Sequence, residues 1–242
     1  MSVPEPAERP PLQLSLDFPQ PAPTLDALAV SPSNAGAIAR LKQTRDWPLA
    51  AMALVGPPRS GLTTLAHAWA IQFSGRVVTP DLFEAMPADA LEGLAAGCTA
   101  IDPADPLRDE PRLLSMINQT AARGGRLLLT ANHPPSHWQV VQKDLRSRLR
   151  AMPVAEITPP DDAMMRARLA SAFARHYFRL PEDVASYLVL RLPRSYSGLE
   201  DYVTRLAGTV TASGRELTVP LAREVLRLEL GNDDDDTHEE EG

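Results

Sequence analysis

Short apolar runs alternate with stretches of helical spacing from residue 25 to residue 159. The runs Met52-Ala53-Leu54-Val55, Cys98-Thr99-Ala100-Ile101 and Arg126-Leu127-Leu128-Leu129-Thr130, with a shorter one over 76–79, predict strands. They are continuous rather than alternating, the pattern of strands covered on both faces in a parallel sheet. Between them, 34–45 (with Ile38 and Leu41 on one side), 64–73, 81–95 and 110–123 read as helices, the third weakly. Strands and helices in alternation predict a doubly wound α/β domain. After Pro159-Pro160 only helical spacing remains. Asp161 is placed to cap a helix over 162–178. Three more follow, from Pro181 to about Arg191, over 196–212 and over 219–230. A small all-helical domain over 160–230 is expected.

The two ends read differently. Residues 1–24 are dense in proline and predict a disordered arm. Within it, Gln13-Leu14-Ser15-Leu16-Asp17-Phe18 spaces apolar residues in a way that suits either a docking peptide or a short edge strand. Leu14, Leu16 and Phe18 would be the apolar anchors, and Gln13 the polar contact. The tail 231–242 holds seven acids and no Lys or Arg, and is expected to be a disordered, solubilising end. A nucleic-acid mimic is the alternative reading.

The acidic tail accounts for the charge. The chain carries 31 acids and 24 Lys and Arg, for a net charge of −7. Without the tail the body is formally neutral, so the overall basic excess of a nonspecific DNA binder is missing. The single cysteine, Cys98, excludes an internal disulfide framework. No apolar run approaches a membrane span, and the proline-rich start has no signal-peptide core. A cytoplasmic protein without membrane partners is expected.

Chemistry concentrates at Gly56-Pro57-Pro58-Arg59-Ser60-Gly61-Leu62-Thr63. This is the phosphate-gripping pattern G-x-x-x-x-G-K-[ST] with leucine in place of lysine. The predicted strand before it and helix after it, beginning at Thr64, are the context the pattern requires. Backbone amides and the helix N-terminus still favour phosphate, but the ammonium that neutralises the outer phosphates is gone. The glycines alone would also suit a tight turn. Asp102 ends the third predicted strand, where an acid can hold a metal or merely cap the strand. Asn132 follows the fourth, where it can meet a γ-phosphate or cap the Pro134-Pro135 turn.

Taken in order, these motifs resemble the AAA+ ATPases. Asn34, Gly56-Pro57-Pro58, Leu128-Leu129-Thr130 with Pro134-Pro135, and Asp144-Leu145-Arg146-Ser147-Arg148-Leu149 are similar to the DnaA-related branch, and within it to the Hda-like regulatory inactivators of DnaA. The resemblance spans about residues 25–230 and implies an AAA+ sheet with a helical lid. It implies that residues 13–18 form a sliding-clamp-binding peptide. DnaA would continue beyond the lid into a DNA-binding domain, so no sequence-specific DNA contact is expected. The resemblance places a nucleotide on residues 56–64, Asp102 and Asn132. The implied cofactors are ADP, weakened by Leu62, and Mg2+ on Thr63 and Asp102.

Three positions depart from an active ATPase: Leu62 for the lysine, Pro103 for the second acid after Asp102, and Ser197 where the resemblance expects a lid arginine. Arg194, one turn earlier, is the candidate substitute. All three missing groups act on developing phosphate charge, so no intrinsic ATPase is expected. Arg148 falls on the arginine finger of the family's L-x-S-R-L turn; the alternative is a solvated arginine on a basic turn. The resemblance thus implies a replication regulator that binds the β subunit clamp and promotes hydrolysis of DnaA-bound ATP. Alternatives are a silent adaptor joining clamp and DnaA-type partners, and a helicase-loader-type ATPase acting on DNA.

Overall fold

The structure, a computed structural model, describes residues 24–105 and 107–232. The peptide 13–18 and the acidic tail beyond 232 lie outside the described residues. Five strands, β1 (Ala51–Val55), β2 (Arg76–Val78), β3 (Cys98–Ile101), β4 (Arg126–Ala131) and β5 (Val154–Glu156), form one parallel sheet ordered β2-β3-β4-β1-β5. Around it lie α1 (Ala35–Lys42), α2 (Leu62–Gln72), α3 (Pro80–Ala85), α4 (Ala88–Ala95), α5 (Glu110–Arg123) and α6 (Lys143–Ala151). The doubly wound expectation holds.

β1 is buried at every position. Its side chains alternate between two cores. Met52 and Leu54 join Ile38, Leu41, Leu65, Trp69 and Leu128 on one face. Ala51, Ala53 and Val55 join Leu127, Leu129, Leu113, Met116, Leu145 and Leu149 on the other. Covering both faces is what makes a strand read as one apolar run. Trp69 stacks on Trp47 at 5.7 Å between ring centres, and its indole N–H reaches Thr44 Oγ1 at 2.7 Å.

Three sequence expectations need correction. The weak helix over 81–95 is two helices, broken at Met86-Pro87, where both residues are extended. Arg148 lies in the last turn of helix α6, not on a turn. The fifth strand, β5, has no counterpart among the expected elements.

The helical domain comprises α7 (Asp162–Arg175), α8 (Glu182–Val189), α9 (Tyr196–Ser213) and α10 (Val219–Asn232). Asp161 does cap α7, accepting from Met164 N–H at 2.9 Å. Ser195 caps α9 through Gly198 N–H at 3.2 Å. Leu169, Phe173, Leu188, Leu199, Tyr202, Leu206 and Leu221 make this domain's own core. Met164 and Tyr196 instead pack into the sheet's core, and the Tyr196 hydroxyl donates to the Thr158 carbonyl at 3.2 Å. The lid is therefore fastened to the body at the starts of α7 and α9. Among the described residues, no helix is long and apolar enough to cross a membrane.

Candidate functional site

β1 is an interior strand, and ligands of open α/β sheets bind beyond the carboxyl ends of such strands. The loop 56–61 begins there. Gly56 N–H donates to the Ala131 carbonyl at 3.2 Å, pinning the loop to the end of β4. Ser60 N–H closes onto the Pro57 carbonyl at 3.1 Å. Both glycines have a geometric cause. A Cβ on Gly56 would stand 2.8 Å from Ser60 Oγ and 3.0 Å from Ile157 Cβ. Gly61 has φ +104°, a left-handed conformation that disfavours side chains. Gly61 is also the N-cap of α2 and offers no capping side chain. The first amides of α2 are thus left to a ligand or solvent.

A cleft of about 560 Å³ opens above this loop, within the range of small-molecule sites. Pro58, Arg59, Gly61, Leu62, Thr63 and Thr64 border it from the loop and α2, and Asp102, Thr130 and Asn132 from the strand ends. Most of the sequence-predicted nucleotide residues therefore meet here. Gly56 and Pro57 border a neighbouring hollow, and the Ser60 hydroxyl is buried without a partner. Leu62 is half-buried and packs on the core beneath α1 and α2. Its side chain serves the core as much as the cleft.

Asp102 is buried, and its carboxylate accepts from the Thr130 hydroxyl on β4. After Pro103 the chain folds back, with Ala104 N–H on the Thr130 carbonyl at 2.7 Å. Asp105 then accepts from Asn132 N–H at 3.3 Å. It borders the adjoining hollow beside His133 and Trp138, not the phosphate cleft.

The lid contributes three residues that the sequence did not single out: Arg168, Arg175 and Glu200. Arg168 and Arg175 lie two turns apart on α7, on one face. Both pair with Glu200 of α9, Arg168 at 3.4 Å. That same-face spacing was the one sequence signal for them. Arg168 Nη2 donates to the Arg59 carbonyl at 2.6 Å, and the Arg59 side chain pairs with Asp201. Arg59 has φ 61°; lid contacts on both its carbonyl and its side chain support this uncommon backbone. Arg194, the candidate substitute for a lid arginine, pairs with Asp162 and does not border the cleft. Ser197 bonds to Ser195 at 3.0 Å.

Arg148 stands apart from the cleft on α6. It is exposed, and no hydrogen bond or ion pair holds it among the described residues. Its neighbour Arg146 is tied down, with Nη2 on the Val140 carbonyl at 2.6 Å.

Free helix amides, the threonine hydroxyls and the arginines suit an anion, and a Cβ at Gly61 would project towards Arg168 Nη1, 3.9 Å away. The fit to Mg2+ is narrower. Among the described residues there is no group of three or more His, Cys, Asp or Glu to hold a metal. Asp102 and Thr63 could complete an octahedral shell only with phosphate oxygens and water.

Comparison with known proteins agrees with this architecture. Residues 162–226 match the family description "Hda, lid domain". Domain III of the replication initiation protein DnaA from Thermotoga maritima is similar in fold, with TM-score 0.67 and 18% identity, over 84% of this chain and 95% of that one. AMPPCP-bound DnaA from Aquifex aeolicus has TM-score 0.62 and 18% identity, over 80% of this chain and 69% of that one. A RuvB variant of Thermotoga maritima has TM-score 0.61 and 16% identity, over 86% and 73%.

Proposed function

We propose that this chain, a DnaA-related AAA+ protein with an Hda-type lid, is a negative regulator of replication initiation: residues 13–18 bind the β sliding clamp, and the body promotes hydrolysis of ATP held by DnaA. The observation that carries this reading is the lid match, directly following a body of DnaA-like fold.

In this reading the reacting nucleotide belongs to the partner. Arg148 supports it: an exposed guanidinium on α6, tied to nothing among the described residues, can be lent across an interface. The cation is permanent and its fork matches phosphate oxygens. It acts by stabilising charge that develops on the transferring phosphoryl group. The clamp peptide raises the local concentration of the protein where DNA is being copied.

The chain's own site would hold ADP without turning ATP over. The α2 amides, Thr63 and Thr64 would meet the phosphates, with Asp102 and Asn132 at the far wall. Bound ADP would supply negative charge between body and lid. Leu62 and Pro103 leave no lysine clamp and no second acid, which disfavours a loader-type ATPase.

The test is phosphate release from ATP-bound DnaA mixed with this protein and DNA-loaded clamp. Release is expected to require all three components. No acceleration over DnaA alone would reject the activator role, and brisk ATP turnover by this chain alone would reject the division of labour.

A further inference from the structure

The loop lacks its cation, but the cleft does not. We infer that Arg168 of the lid supplies the phosphate-binding charge missing at Leu62, so that this protein's nucleotide grip comes from α7 rather than from its own loop. The inference rests on the proposal that a nucleotide diphosphate occupies this cleft.

Four observations converge on Arg168. Its Nη1 lies 3.9 Å from the position a Cβ on Gly61 would take, beside the end of the loop. Its Nη2 is anchored to the Arg59 carbonyl at 2.6 Å, which fixes the guanidinium at the loop crest. Its Nε is buried and has no partner, a donor left for an acceptor the protein does not provide. Tyr196 lies against the guanidinium, 5.6 Å from ring centre to Cζ, and is itself held by the Thr158 carbonyl. The cation is placed by the same tyrosine that fastens the lid to the body.

Glu200 completes the arrangement. It is shared by Arg168 and Arg175, two cations on one carboxylate. An entering diphosphate would meet this surplus of positive charge and take up donor capacity that Glu200 leaves over. The loop and the lid would then be joined through the ligand as well as through Tyr196 and Asp161, and nucleotide binding would tighten the lid on the body. A lysine at 62 would come from the body alone and would carry no such linkage.

Isothermal titration of the full-length protein with ADP, and separately with inorganic pyrophosphate, tests this. Arg168→Ala is expected to weaken both by roughly ten- to a hundredfold, the range for losing a charge-assisted hydrogen bond. Adding Leu62→Lys to Arg168→Ala is expected to restore most of the lost affinity. Wild-type protein that binds neither probe, or Arg168→Ala that binds both as tightly as wild type, would overturn the assignment. So would a loss that Leu62→Lys fails to restore in a double variant that melts like Arg168→Ala, since Arg168 would then act only in seating the lid. DnaA stimulation is read in a different assay, so either idea can fail without the other.

Discussion

Asp161 holds Ser33 across the body–lid junction: its Oδ2 accepts the Ser33 N–H at 2.9 Å while its Oδ1 caps α7. Ser33 is buried, and without this acceptor its N–H keeps only the longer bond to Ser31 Oγ at 3.3 Å. Asp161→Ala is expected to cost about 1–3 kcal/mol in a urea melt, combining a lost cap with the loss of the shorter bond to Ser33 N–H. The pH dependence has a definite sign. Burial alone would raise the Asp161 carboxyl, but hydrogen bonds from Met164, Ser31, Ser33 and Ala163 outweigh it and hold it below the ordinary value. A depressed folded value means that the stabilisation is complete above about pH 4 and is lost as pH falls through the folded value. Melts of wild type and Asp161→Asn should differ at neutral pH and converge in acid.

Burial explains what was legible in the sequence. β1, β3 and β4 could be read because burial on both faces writes a continuous apolar run. β5 could not: only Ala155 of its three residues is buried. α6 was read as a turn because Leu145 and Leu149 are its only buried residues amid charge. In the site, Gly56 and Gly61 were legible because backbone geometry dictates them. Arg168, Arg175 and Glu200 were not, because only the docking of α7 and α9 over the loop brings them together.

Two glycine substitutions should act in opposite directions. At Gly125 a Cβ would stand 2.2 Å from the Ala95 carbonyl oxygen and 2.7 Å from that of Gly97. Both obstacles are backbone, so Gly125→Ala is expected to cost about 1–3 kcal/mol or more. Gly208 lies inside α9 with nothing near its missing Cβ. Gly208→Ala is expected to gain about 0.5–1 kcal/mol from helix propensity. Thermal melts should lower the first and raise the second, by roughly 2–4 °C per kcal/mol for a domain of this size.

The clamp peptide can be tested by its anchors. Leu14→Ala combined with Phe18→Ala removes two apolar side chains from the stretch read as the docking segment. Each fully buried side chain of this kind is worth about 1.5–3 kcal/mol, so affinity for the isolated clamp should fall by roughly a hundredfold or more. The melting curve of the double variant should match that of wild type. Unchanged clamp affinity would remove the tether from the proposed function.

Arg148 offers the sharpest separation of stability from activity. It is exposed and unpaired among the described residues, so Arg148→Ala should change folding stability by no more than about 0.5 kcal/mol. Clamp binding should also persist. Stimulated phosphate release from DnaA should nevertheless fall by roughly a hundredfold or more if the guanidinium enters the partner's site. Arg148→Lys keeps the charge but loses the planar fork, and should recover little. Arg150 is the internal control. It is equally exposed and unpaired among the described residues, yet two positions along a helix it points away from Arg148. Arg150→Ala should therefore retain stimulation. Equal losses from both alanine variants would indicate general basicity of α6, and full activity in Arg148→Ala would eliminate the finger.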